Sequence, residues 1–336
     1  MSGEPRLPPI TVVTPVFNGS AWIAETLESV LNQNYPGELE YIVLDDGSTD
    51  GTMDVLAPYA DRGVRIVSHA NMGEARTVNR GAALASHDLF AVVNADDPVL
   101  PGWAHGMANA FAADPHLSGA YPDWRMIDGS GQVVGEIRTQ EFDYAVLFGQ
   151  HFCLPGPGAV LRRSCLRDEP VRDPARGTSS DYDLWLRLGL RGPMRRVPQV
   201  LATWRRHAAG TSSAARGRAM AADKIGTIRA LLARTDLPPD VRALGPMALS
   251  AAYLNAALLG LRAAGIPALR YAALSYWHKP MWPARVVRQQ RRSIPHLAYA
   301  AAQPMSGWLH AAASPLLPRR LRRSAIRAER FGRADA

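Results

Sequence analysis

Two adjacent carboxylate pairs, Asp45-Asp46 and Asp96-Asp97, each directly follow a short apolar run, Leu39 to Leu44 and Leu89 to Val93. Carboxylates are hard oxygen ligands, and one or two of them together with substrate phosphates hold Mg²⁺ or Mn²⁺. If both runs are strands of one parallel sheet, the pairs emerge on the same edge, where open α/β sheets bind their ligands. Each pair also has a plain structural role available to it. Asp45-Asp46-Gly47-Ser48 makes an Asx turn, and Asp97-Pro98 is a good helix start. Two further groups carry chemistry: Asp181, heading the stretch SDYDLWLRL, and His207, closing Trp204-Arg205-Arg206-His207.

The elements that must position these groups alternate. Ile10 to Thr14 is a β-branched run that ends at Pro15, and Ser20 is placed to cap a helix running to about Gln33. The run 39–44 follows, then a helix from Asp50-Gly51-Thr52, a third strand over Val64 to Val67, a helix over Asn71 to Ser86 and a fourth strand over Leu89 to Val93. This βαβαβαβ rhythm predicts a mainly parallel sheet with helices on both faces. Between Phe111 and Arg206 strands and loops mix. Asp128-Gly129-Ser130-Gly131 reads as a hairpin turn, and 181–190 reads as a helix.

After Thr211 the texture turns to Ala/Leu/Arg-rich helices at about 215–235, 239–264, 267–277 and 281–292. We therefore expect one domain over 1–214 and a basic α-helical region over 215–336. The uncharged stretch Ala243 to Leu261 nearly reaches transmembrane length. Its small residues, Asn255 and Pro246 favour a packed helix.

At 336 residues, with 47% hydrophobic and 20% charged residues, the chain has the composition of a folded protein. Its two cysteines, Cys153 and Cys165, exclude a disulfide framework and a Cys/His metal cage. They suit a reducing cytoplasm, as does the polar, proline-rich start MSGEPRLPPI, which lacks a secretory pattern. The net charge of +8 is concentrated in arginines from Arg285 to Arg333, whereas the acidic clusters lie in the first half. An acidic cluster in a phosphate-handling site implies a metal ion and not nucleic-acid contact. Trp277, Trp282 and Trp308 near those arginines suit peripheral contact with the inner face of the cell membrane.

Five segments, TVVTPVFNGSAWIAETLESVLNQNYPGELEYIVLDDGSTDGT, NMGEARTVNRGAALAS, AVVNADD, SDYDLWLRL and TWRRHAAGTSS, stand in an order that resembles the family 2 glycosyltransferases. The resemblance covers about two-thirds of the chain. It implies a GT-A-type, Rossmann-like mixed sheet and an inverting transfer of sugar from a nucleoside-diphosphate sugar, with a uridine-linked donor expected, to a saccharide or lipid-linked acceptor. Such a reaction belongs to cell-surface polysaccharide or glycolipid synthesis.

Pro15 and Phe17 then wall a base slot, Asp46 accepts from the base's ring N–H, and Asp45 holds the loop or a ribose hydroxyl. Arg76 borders the nucleotide. Asp97 is expected on Mn²⁺ or Mg²⁺, Asp96 on ribose or metal-bound water, and His207 on the metal or a phosphate. Asn94 departs from the family's usual aspartate. Asp181 is the expected base toward the acceptor hydroxyl, where the family's usual Glu-Asp is Ser180-Asp181, and Asp183 competes for that role. Trp124 and His151 are plausible sugar-binding groups. Two rivals are a nucleotidyltransferase, for which TPVFNGS lacks basic residues, and a basic membrane- or nucleic-acid-binding protein without catalysis.

Overall fold

The computed structural model describes residues 7–153, 155–207, 217–260 and 268–278. The first half alternates as its apolar pattern requires: β1 (Ile10–Val16), α1 (Ile23–Leu31), β2 (Leu39–Asp45), α2 (Thr52–Leu56), β3 (Arg65–Ser68), α3 (Glu74–Leu84), β4 (Leu89–Val92) and α4 (Trp103–Ala113). β5 (Gly119–Asp128) and β6 (Val133–Ile137) follow, then β7 (Val160–Arg162), α5 (Ser180–Gly189) and β8 (Met194–Arg206). α6 (Gly217–Leu232), α7 (Pro239–Ala243), α8 (Gly245–Gly260) and α9 (Ala268–His278) complete the described elements.

The sheet runs β3-β2-β1-β4-β7-β5-β6, with β8 paired to β5. β1 to β4 are mutually parallel, and β7 enters antiparallel between β4 and β5. Both faces are covered, which is why the strands read as nearly continuous apolar runs. Val12, Tyr41 and Val43 face one core with Leu27 of α1 and Trp103 and Met107 of α4. Val13, Ile42 and Leu44 face the other, with Val78 of α3, Leu184 and Leu188 of α5, Ile228 of α6 and Ala252 of α8. This is the mixed, mainly parallel sheet that the sequence predicts, and its helical extension is present as α6 to α9.

Ser20 does not cap α1. The helix begins at Ile23, and the Ser20 hydroxyl and amide go to Asp50 Oδ2 at 2.9 and 3.1 Å. The loop after β1 is thereby tied to the loop after β2, where it serves the site. The hairpin at 128–131 forms as expected, with Asp128 Oδ1 accepting from Ser130 and Gln132. α8 spans 16 residues and packs through small side chains, and Ser250 and Ser275 exchange buried hydrogen bonds between α8 and α9. Among the described residues no helix is long and apolar enough to cross a membrane. Trp277 is 82% exposed. The expected helix at 281–292, Trp282, Trp308 and the arginines beyond lie outside the described residues.

Candidate active site

β1, β2 and β4 are neighbours in parallel register, Val16 opposite Asp45 and Val13 opposite Val92. Their carboxyl ends therefore deliver Phe17, Asp46 and the segment Asn94–Asp97 to one sheet edge. The loop after β1 is fixed by Asn18, whose amide donates to Ser48 Oγ (2.9 Å) and whose Oδ1 accepts from the Thr49 amide (2.8 Å). Gly19 donates to Thr52 Oγ1 at 3.0 Å. Phe17 is left 53% exposed at this edge, an aromatic face not spent on the core and free to stack on a planar ring. Pro15 differs from its expected place. It lies buried inside β1 opposite Leu44, because the strand continues one residue past it, and so forms no wall of an open slot.

Asp45 is buried, its Oδ1 accepting from the Ser48 amide (3.0 Å) and its Oδ2 from Ser68 Oγ (2.8 Å). These two bonds hold the loop after β2. Asp46 is also buried and receives the amides of Met72 and Gly73 at 2.7 and 2.9 Å, one on each oxygen. It pins the loop that opens α3; Oδ1 also lies 3.4 Å from His69 Nδ1, and Oδ2 keeps a second lone pair for a base N–H. Arg76, one turn into α3, is exposed, with Nη1 3.4 Å from the Met72 carbonyl.

Between the two loops Gly47 has φ +76, and a Cβ there would stand 2.8 Å from the Asn71 amide nitrogen. An alanine would be both left-handed and in contact with rigid backbone. We expect Gly47→Ala to lower unfolding stability by about 1–3 kcal/mol, read as a reduced denaturation midpoint. An unchanged midpoint would contradict this packing.

After β4, the two carboxylates of the second pair divide. Asp97 is 5% exposed, and both its oxygens are occupied: Oδ1 accepts from the Arg205 amide (2.7 Å) and Oδ2 from Asn94 Nδ2 (3.0 Å). Burial and then the charge of Asp96 push its carboxyl up to about 7. Asp96 is the more open of the two and pairs through Oδ2 with His207 Nε2 at 2.8 Å. His207 Nδ1 has no hydrogen-bond partner, and its ring lies 4.1 Å from that of Trp22.

The departure at position 94 has a physical account, since the Asn94 amide donates to Asp97 where an aspartate would add a third charge. β8 carries His207 to this edge by running parallel to β5, and its end is latched by Arg205. That guanidinium binds the Asp96 carbonyl (2.9 Å), the Asp128 carbonyl (3.2 Å) and Glu25 (2.5 Å). Sequence reasoning did not anticipate Trp22 or Glu25. Both lie in the first helical segment, with no local pattern marking them.

Asp181 is the second residue of α5, its side chain 54% exposed. Its Oδ1 accepts from the Tyr182 amide at 2.7 Å. Asp183 is buried and bound to Arg187 Nε at 2.7 Å, which leaves Asp181 as the accessible carboxylate of the pair. Asn79 of α3 grips the backbone of Arg172 with two bonds (2.7 and 2.8 Å), and Arg172 Nη1 lies 4.0 Å from Asp181 Oδ1. The helix that Asp46 anchors is thus tied to the segment that approaches Asp181. Trp124 packs edge-on against Trp204 at 5.8 Å, so its position has a packing explanation.

Among the described residues no three His, Cys, Asp or Glu side chains form a metal cage. Asp96 and His207 supply one oxygen and one imidazole nitrogen. That set suits Mn²⁺ or Mg²⁺ completed by phosphate oxygens from a ligand. A separate cavity of about 400 Å³ is lined by Glu28, Gln33, Leu100, Arg125 and Val133, and none of Phe17, Asp46, Asp96, Asp181 or His207 borders it.

A family model described as "Glycosyl transferase family 2" matches residues 11–169. An uncharacterized glycosyltransferase of Haemophilus influenzae is 25% identical over 220 residues, 61% of this chain and 68% of that protein. The chondroitin synthase of Escherichia coli is 27% identical over 58% of this chain, which spans only 28% of that protein's length. The poly-beta-1,6-N-acetyl-D-glucosamine synthase of Staphylococcus epidermidis is 27% identical over 47% of this chain and 40% of its own. Among solved structures, residues 1–349 of S. aureus TarS in complex with UDP-GlcNAc superpose with a TM-score of 0.60 at 16% identity, covering 87% of this chain and 88% of that one. The Pyrobaculum calidifontis mannosyltransferase with GDP-Man and Mn²⁺ gives 0.54 at 19% identity, over 86% and 88%. At these identities the likeness is one of fold.

Proposed function

We propose, from the premise that residues 11–169 belong to glycosyl transferase family 2 and that the chain has its GT-A fold, a metal-assisted inverting transfer of sugar from a nucleoside-diphosphate sugar to an acceptor hydroxyl. The observation that carries the proposal is the Asp96–His207 pair, 111 residues apart in sequence and 2.8 Å apart at the strand-end edge. It stands after β4, next to the strand whose end supplies Phe17 and neighbours Asp46.

Phe17 stacks on the base, and the free lone pair of Asp46 Oδ2 takes its ring N–H. Asp45 keeps the loop in place, and Arg76 stands at the border of the nucleotide. Asp96 and His207 would hold Mn²⁺ or Mg²⁺ together with the donor's diphosphate. The ion, when bound, neutralises charge on the leaving group. Asp97, expected on the metal itself, is better suited to fix this loop, because its two oxygens already serve Asn94 and Arg205.

On the acceptor side Asp181 takes the hydroxyl proton as the acceptor oxygen bonds to the anomeric carbon. Attack comes from the face opposite the leaving group. The bond from that carbon to the diphosphate oxygen breaks, and its electron pair departs with the nucleoside diphosphate. Holding the two substrates in line contributes much of the acceleration.

Residues 1–214 serve as the catalytic domain in this proposal, with 215–336 as an appendage of which α6 and α8 pack into one core. Uridine-linked donors come first, supported by the UDP-GlcNAc complex of TarS; guanosine-linked donors come second, from the GDP-Man complex. The chondroitin and poly-N-acetylglucosamine synthases support a saccharide or lipid-linked acceptor in polysaccharide synthesis. Hydrolysis of a panel of nucleotide sugars, with and without Mn²⁺, tests the donor half of the proposal.

A further inference from the structure

We propose that the acceptor carries a negatively charged group, a phosphate or a carboxylate, seated by Arg172 and Lys224 beside Asp181. The inference rests on the reading of Asp181 as the acceptor-side base.

Among the described residues the two other buried arginines are well satisfied, and half-buried Arg163, whose Nε also lacks a partner, donates through Nη1 to the Ala82 carbonyl. Arg187 binds Asp183, Glu169 and the carbonyls of Pro170 and Val171. Arg205 binds two carbonyls and Glu25. Arg172 is 8% exposed, yet its buried Nε has no partner among the described residues. Among the described residues the acidic group its guanidinium approaches is Asp181, at 4.0 Å, beyond hydrogen-bond reach. A guanidinium withdrawn from water with unused donors is costly unless an anion satisfies it.

The same cost recurs at His151, which packs on the neighbour of Asp181 in α5. His151 is 6% exposed, both ring nitrogens are buried without partners, and its backbone has φ +51, a strained value for a residue with a side chain. Its ring lies 4.4 Å from that of Tyr182, which adjoins Asp181 in α5. Burial, then the charge of Lys224, holds the imidazole neutral. A neutral imidazole offers one donor and one acceptor, which matches a sugar hydroxyl.

Lys224 of α6 is half-buried and makes no hydrogen bond or ion pair within the described residues. Lys224, Arg172 and Asp181 all act on the Cys153 thiol, which burial raises, Asp181 raises further, and the two cations lower. Cys153 reaches the surface while its thiol donates to the Pro155 carbonyl at 3.0 Å. The neighbouring Asp223 is committed to Thr178, at 2.8 Å to its amide and hydroxyl. Arg172 and Lys224 balance Asp181 and Asp223 in formal charge, and it is the unfilled donors of the two cations that an anionic group on the acceptor would satisfy.

Donor diphosphate is the other anion that could fill such a seat, so the test separates the two. Inorganic phosphate and glucuronate are titrated calorimetrically into the full chain, with glucose as the neutral control. The titrations are repeated with saturating UDP or GDP and Mn²⁺. The expected result is that both anions bind, glucose does not, and the nucleotide leaves anion binding in place. Arg172→Gln and Lys224→Met should each weaken it by about tenfold or more, with Arg172→Lys restoring part of the loss. Thermal melts check that each variant is folded.

Displacement of the anions by nucleotide would assign the seat to the donor and overturn the proposal. So would undiminished anion binding in folded Arg172→Gln and Lys224→Met, or no anion binding by the wild type. Donor turnover with no anion binding would leave the transferase proposal standing and remove only this one.

Discussion

Asp181→Asn should lower the rate of sugar transfer by about 10²–10⁴-fold, the range for losing a general base, while donor affinity stays near the wild-type value. Asp181 is exposed, one oxygen takes the Tyr182 amide, and the other is unengaged in any hydrogen bond among the described residues. Asparagine keeps the size and the accepting oxygen, so the helix start survives while the proton acceptor is lost. The nearby alternative, Asp183, is excluded from that task by its bond to Arg187 inside the core. Its replacement should reduce stability first, because Arg187 would be left buried without its closest partner. A folded Asp181→Asn protein transferring sugar at the wild-type rate would remove Asp181 from the mechanism.

The second large effect separates Asp96 from Asp97. Asp96→Ala should abolish the Mn²⁺ dependence of donor turnover and cost about 10²–10³-fold or more in rate. The variant deletes the more open carboxylate and the partner of His207 while leaving the core intact. Asp97→Ala strands the Arg205 amide and the Asn94 side chain in a buried place. It should therefore cost about 1–3 kcal/mol in unfolding stability and reduce activity through displacement of the loop. The reverse pattern, a stable and metal-insensitive Asp97→Ala beside a nearly active Asp96→Ala, would return the ion to Asp97.

The donor half of the site was readable because its strands are buried on both faces. β1, β2 and β4 each present an unbroken apolar run, and the polar residue ending the run marks the strand end. β8 was not readable. Its sequence MRRVPQVLATWRR alternates poorly, and its arginines are neutralised by distant partners, Arg195 by Asp114 and Arg196 by Asp123. β7, with three residues, gains its place between β4 and β5 from pairing partners remote in sequence.

The same limit applies to single side chains. Asp96 and Asp97 are chemically identical neighbours, and only the arrival of the Arg205 amide, 108 residues later, buries one and leaves the other at the edge. Pro15 looked like a strand terminator, but β1 extends to Val16 because its pairing with β4 ends at Val13, so the missing Pro15 N–H on that side costs no ladder bond. Ser20 looked like a helix cap until Asp50, across the neighbouring loop, claimed it.

The measurement that bears most directly on the transferase proposal is hydrolysis of a panel of UDP- and GDP-linked sugars by the full wild-type chain. Each donor is assayed with Mn²⁺ and again with chelator, with the Asp96→Ala protein alongside. The result expected is turnover of at least one donor that requires the metal and is lost in Asp96→Ala. Failure of every donor to bind or turn over in the presence of Mn²⁺ would contradict a nucleotide-sugar site at the β1–β4 edge.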